Sequence, residues 1–191
     1  RLYRFDKTAA GVAVETFPVG IGDLDYPTPT GKYRIITKVE DPTWTIPPSL
    51  RGKYGRTTVP PGPHNPLGRY WMGLAGTHMG LHGTDIPWSV GRLVTHGCIR
   101  LYPEDIARLF RTTTLPSKVR LIYEPVKIGV VEGRIYVEAH RDVYGRIENY
   151  NAYGFERLQT SGWRYSVDSW AFRKALEERC GLPVDVTTPS I

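Results

Sequence analysis

Residues 95–101 read Thr95-His96-Gly97-Cys98-Ile99-Arg100-Leu101, and a second His-Gly pair, His82-Gly83, stands 16 residues before the cysteine. A cysteine reacts near neutral pH only beside a base, because the thiolate is the nucleophile. This segment puts one of two cysteines in a glycine-flanked turn, with one histidine two residues before it and another on the preceding strand. Leu93-Val94-Thr95 reads as a short strand leading into the turn. After it, Pro103 to Phe110 reads as a helix, with proline at its first position and Glu104 and Asp105 in its first turn.

Working outward, the block from Gly76 to Thr84 is strand-like with a glycine bend, and a period of two would set His78, Gly80 and His82 on one face. Lys32–Val39 and Arg69–Leu74 read as strands, as do Thr8–Ile21 after the Ala10-Gly11 turn and Val119–Tyr123. Pro27 to Gly31 is a turn, and residues 41–65, rich in Pro, Gly and charge, read as one long surface loop. From Glu124 the character changes. Arg134–His140 alternates as a strand, and Ser166–Arg179 carries helical spacing, with Ser166 or Asp168 as N-cap and Gly181 as C-cap. The expectation is a mainly β chain: a first domain over 1–123, and an α+β appendage of unassigned role over 124–191.

Composition sets the class. With 40% apolar and 23% charged residues in 191, the chain is an ordinary globular protein. Residues 1–124 hold 16 Lys+Arg against 10 Asp+Glu, and residues 125–191 hold 9 against 9, so the whole net charge of +6 lies with Cys98. Such a surface attracts anionic partners. No basic run or zinc-finger spacing marks a nucleic-acid binder. No stretch approaches a membrane span. The chain starts at Arg1 without Met or an apolar leader, and reads as a mature or trimmed fragment whose export signal has been removed.

The chemistry asks for a sulfur, a base, a group that orients the base, and N–H donors for an oxyanion. Cys98 supplies the sulfur. His82 and His96 compete as base. Gly97 frees the amides of Gly97 and Cys98 to point at one acceptor, and Arg100 suits a substrate carboxylate. No Asp stands out as the orienting group, which leaves a backbone carbonyl such as that of Gly83. The blander readings are a packed cysteine at Cys98, a strand histidine at His78, surface histidines at His64 and His140, and a packed thiol at Cys180. Zinc on His78, His82, His96 and Cys98 is disfavoured, because residues i and i+4 of a strand stand about 13 Å apart. Four tail aromatics, Tyr150, Tyr153, Trp163 and Trp170, read as core or as a stacking surface.

These motifs together resemble the catalytic domain of the L,D-transpeptidases (YkuD type). The likeness rests on His82-Gly83-Thr84, Pro87-Trp88-Ser89-Val90-Gly91, Thr95 to Leu101, Pro29-Thr30-Gly31, Asn65-Pro66-Leu67-Gly68 and the acidic helix, in that family's order. Thr95 stands where serine is more usual. The resemblance covers roughly residues 3–123 and implies a β-sandwich with the cysteine on a loop beside the sheet and a short helix after it. It implies Cys98 as nucleophile, His82 as base and His96 as auxiliary, with Thr95, Ser89 and Trp88 joining Arg100 at the substrate. The implied reaction is acyl transfer on peptidoglycan stem peptides, releasing D-Ala and passing the acyl group to an amine. That amine would belong to a second stem or to an anchored lipoprotein. The alternatives are an L,D-carboxypeptidase or cell-wall amide hydrolase, and a non-enzymatic wall-binding module. No metal or organic cofactor is implied. The location implied is periplasmic or extracytoplasmic, and carbapenems are expected to acylate the cysteine.

Overall fold

The computed structural model describes residues 1–163 and 166–189. The chain forms two compact units, Arg1–Ile122 and Tyr123–Ile191. In chain order the first contains β1 (Leu2–Thr8), β2 (Gly11–Phe17), β3 (Ile21–Gly22), β4 (Gly31–Glu40), β5 (Trp44–Thr45), α1 (Pro48–Tyr54), β6 (Thr58–Val59), β7 (Tyr70–Leu74), β8 (Gly80–His82), β9 (Leu93–Thr95), β10 (Ile99–Arg100), α2 (Pro103–Thr112) and β11 (Ser117–Leu121). A single 3₁₀ turn, Pro87–Ser89, precedes β9. The class is mainly β, with a helix after the cysteine loop.

The principal sheet has five strands in the order β10-β8-β7-β4-β11. Its antiparallel pairs are β7 with β8, β7 with β4 across the segment 41–65, and β11 with β4. The β8–β10 pair is parallel, pairing Ile99 with Leu81 and Arg100 with His82. Alternation then divides the residues. Ile35, Met72, Leu74, Leu81 and Ile99 point into a core closed by Ile106 and Leu109 of α2 and by Phe17. Their neighbours Trp71, Gly80, His82, Cys98 and Arg100 belong to the other face. A parallel β3–β9 pair and a bridge between Gly20 and Arg100 brace the cysteine turn at its edge.

The β1–β2 ribbon inverts the usual pattern. Arg4 and Asp6 point inward, where they bond each other and Arg4 reaches Thr112, while Phe5 and Val14, partners in the ladder, face solvent. The segment 41–65 is not a bare loop. It carries the β5–β6 ladder and α1, and is pinned by buried Ile46 and by Asn65, whose side chain donates to the Pro42 carbonyl at 2.7 Å and accepts from Leu67.

The second unit holds β12 (Val126–Val131), β13 (Arg134–Ala139), α3 (Tyr150–Ser161), α4 (Ser169–Glu178) and β14 (Pro183–Asp185). The antiparallel sheet runs β12-β13-β14, and Phe172, Ala175 and Leu176 of α4 complete a core with Val126, Ile135 and Val137. Asp168, not Ser166, caps α4, accepting from Trp170 and Ala171, and Arg179 rather than Gly181 takes the left-handed C-cap. Cys180 is exposed, contrary to the packed thiol expected, and both cysteines are free. His140 is no isolated surface residue: its Nε2 lies 2.5 Å from Glu138 Oε1, which also accepts from Lys127. Tyr150 is core, whereas Trp163 and Trp170 are exposed. No helix among the described residues is long and apolar enough to cross a membrane.

Candidate active site

The parallel register that pairs Arg100 with His82 continues one step, setting Cys98 beside Gly80. A Gly80 backbone hydrogen bond to the sulfur fits that placement. Cys98 and His82 are thus diagonal neighbours on adjacent strands, roughly 8 Å apart between Cα atoms by sheet spacing. Gly80 leaves room for this. A Cβ there would come within 2.6 Å of the Trp71 ring. That ring stacks on the His82 imidazole at 6.0 Å between centroids, so Trp71 roofs the base from the next strand.

His82 is buried, and its Nδ1 lies 2.6 Å from the Gly83 carbonyl. A carbonyl only accepts, so Nδ1 carries the proton and Nε2 keeps its lone pair. Burial, followed by the charge of Arg100, pulls the imidazole pKa down to about 3, against the raising effect of the Gly83 bond. The ring is neutral throughout the physiological range. Burial pushes the half-buried Cys98 thiol above its usual pKa, while the Gly80 hydrogen bond and Arg100 pull it back. The resting pair is therefore thiol and imidazole, not an ion pair. Ionisation of the sulfur waits for a proton to move.

The turn itself is rigidly held. Thr95 Oγ1 donates to the Cys98 carbonyl at 2.6 Å, and Gly97 takes φ +93°, a left-handed value that glycine adopts freely. His96 stacks on Tyr26 at 4.1 Å, outside the Cys98–His82 diagonal, and Asp23 donates its amide to the Thr95 carbonyl. Ser89 Oγ donates to the Ile86 carbonyl and accepts from Arg100 Nη1 at 2.9 Å.

The residues read from the sequence therefore separate. The Gly83 carbonyl holds the His82 ring, and Arg100 lies within electrostatic reach of both His82 and Cys98. Thr95 and Ser89, expected at the substrate, are buried, with their hydroxyls spent on the protein. Trp88 is 72% exposed on the 3₁₀ turn. His78 lies exposed in the bend before β8 and does not share the His82 face. Among the described residues no group of three His, Cys, Asp or Glu is arranged to hold a metal. Three participants escaped the sequence reading: Trp71, Tyr26 and Asp85, which attracts the Arg100 guanidinium. Asp85 follows directly on the His82-Gly83-Thr84 motif, and that adjacency was the available signal.

The model of the YkuD L,D-transpeptidase catalytic domain matches residues 1–128. The chain is 31% identical over 198 residues to "Probable L,D-transpeptidase YbiS" of Escherichia coli K12, covering 96% of this chain and 64% of that protein. It is 32% identical over 204 residues to "Probable L,D-transpeptidase ErfK/SrfK" of the same organism, covering 100% of this chain and 65% of that one. It thus spans just under two thirds of the length of these relatives. Among solved structures, the catalytic domain of an E. faecium L,D-transpeptidase acylated by ertapenem is 26% identical, over 60% of this chain and 84% of that one, at TM-score 0.45. A family match over more than half its length, carrying the whole cysteine turn, makes this chain a member of the YkuD L,D-transpeptidase catalytic domain family.

Proposed function

We propose that the chain is a cysteine-dependent L,D-transpeptidase acting on peptidoglycan stem peptides, in an extracytoplasmic setting. The observations that support this most are the parallel β8–β10 register, which makes Cys98 and His82 diagonal neighbours, and the Nδ1–Gly83 bond, which leaves the Nε2 lone pair to accept a proton. His82 takes the thiol proton as the sulfur attacks the amide carbonyl before the terminal D-Ala. The S–C bond forms, and the amides of Gly97 and Cys98 face the developing oxyanion. The C–N bond breaks, and D-Ala leaves with the proton from His82. An acceptor amine then gives a proton to His82 and displaces the sulfur. Arg100 binds a substrate carboxylate, and the basic first unit suits a carboxylate-rich polymer.

Transfer is measured with a tetrapeptide donor and an amine acceptor, with products read by mass spectrometry. Cys98→Ala is expected to abolish new amide bonds while leaving the protein folded. His82→Ala is expected to lose about 10²–10⁴-fold in kcat, and His96→Ala much less. Retained transfer in Cys98→Ala would overturn the reading, and equal losses at both histidines would overturn the choice of base. Shortened donor without new amide bonds would identify a carboxypeptidase instead.

A further inference from the structure

Resting on the polymer substrate just proposed, we propose that the second unit carries a binding site for its glycan, an uncharged N-acetylated sugar that stacks on Trp163 at the C-terminal end of α3. A cavity of about 470 Å³ opens there, lined by Ile128, Arg157, Thr160, Ser161 and Trp163. The Trp163 side chain is 45% exposed. An indole left in water beside a cavity gains by covering itself with an apolar face, and one face of a pyranose ring is apolar.

The local sequence builds the polar half of the site. Gly162 ends α3 in the left-handed conformation at φ 81°, and the Trp163 amide turns back to donate to Ser161 Oγ at 3.3 Å. Both hydroxyls have their protons committed. Thr160 Oγ1 donates to the Arg157 carbonyl at 3.0 Å, and Ser161 Oγ to the Leu158 carbonyl at 2.7 Å. Each oxygen keeps a lone pair with which to accept. The last carbonyls of a helix likewise have no partners within it. A ligand here has to bring donors, as sugar hydroxyls do. The donor on the protein side is Arg157, which suits an acetamido carbonyl.

Charge narrows the class further. A helix carries partial negative charge at its C-terminal end, which disfavours an anion. Arg157 is already drawn to Glu124, 3.6 Å away. None of the lining residues is acidic, so a cation gains nothing either. Stem carboxylates, which suit the basic first unit, are thus disfavoured at this cavity, and residues 125–191 are net neutral. A neutral molecule rich in hydroxyls meets each condition.

The test titrates the full chain with the tetrasaccharide of N-acetylglucosamine and follows the indole N–H signals of the five tryptophans by NMR. The Trp163 signal, assigned by its loss in Trp163→Phe, should shift and saturate. That of Trp170, exposed but outside the cavity, should stay in place. By calorimetry, Trp163→Ala should weaken binding about tenfold or more, and Trp163→Tyr should keep most of it. If Trp163→Ala fails to fold, Arg157→Gln is read in its place and should also weaken binding. An unmoved Trp163 signal, an equal shift at Trp170, or an equal response to a sugar-free stem tetrapeptide would overturn the proposal. The titration involves no thiol chemistry. Failure of transfer in the unaltered protein would therefore sink the proposed function and leave this site standing, and intact transfer without sugar binding would sink the site alone.

Discussion

At the scale of single residues, the site is a neutral pair kept neutral by burial. His82 shows it best, since its pKa of about 3 lies below the ordinary 6.5. The folded state therefore binds that proton more weakly than the unfolded chain does. The stability this confers is fully present above pH 6.5 and is lost as pH falls from 6.5 toward 3. Thermal melts of the parent protein should fall more steeply across that window than those of His82→Gln. Parallel melting curves would show that the imidazole does not carry the effect. Cys98 works with the opposite sign, its thiol raised by burial, so reactivity should climb on the alkaline side with no acid limb near 6.5. The sequence made Cys98, His82 and the Gly83 carbonyl legible, because motif spacing encodes the turn and its neighbour strand. It did not reveal that the hydroxyls of Thr95 and Ser89 turn inward. A hydroxyl looks the same in sequence whether it meets substrate or a carbonyl three residues along its own turn.

At the scale of elements, legibility followed locality. β4, β7 and α2 were readable because their patterns are local and strong, and α2 begins at Pro103 with Glu104 and Asp105 as expected. The parallel β3–β9 and β8–β10 pairings were not, although Leu93-Val94-Thr95 reads as a strand, since strands of two or three residues carry no signal of which neighbour they pair with. β1 was missed because its apolar Tyr3 and Phe5 face outward and its inward positions hold Arg4 and Asp6. α3 was missed for another reason. Its core positions are Tyr150, Gly154 and Leu158, and the central one is a glycine packed against Leu176, so the apolar stripe is interrupted. A Cβ at 154 would meet Leu176 Cδ1 at 2.5 Å, so the gap in the pattern is the contact itself. The α4 cap gives a prediction at this scale. Asp168 accepts from Trp170 at 2.9 Å and from Ala171 at 3.0 Å. Asp168→Ala should cost about 1 kcal/mol, read as a lowered denaturation midpoint of the second unit, whereas Asp168→Ser should retain most of it.

At the scale of the whole molecule, the chain encloses two cores. Phe17, Met72, Leu81, Ile99 and Ile106 make one, and Val126, Val137, Phe172 and Leu176 make the other. The two cores share no residue: α2 closes the first, and α3 and α4 close the second. The charge divides as the cores do, with the net +6 carried by residues 1–124 and none by residues 125–191. A lesion in one core is therefore expected to act on its own unit. Phe172 is fully buried, and Phe172→Ala should remove about 3–5 kcal/mol from the second unit. Native-state hydrogen exchange is the measurement. Amides of β12 and β13 should lose protection by that amount, while amides of β4 and β7 keep theirs and the pH profile of Cys98 alkylation stays unchanged. Equal loss of protection in both sheets would mean that the chain unfolds as one cooperative body, with the stability of the cysteine turn drawn from both cores.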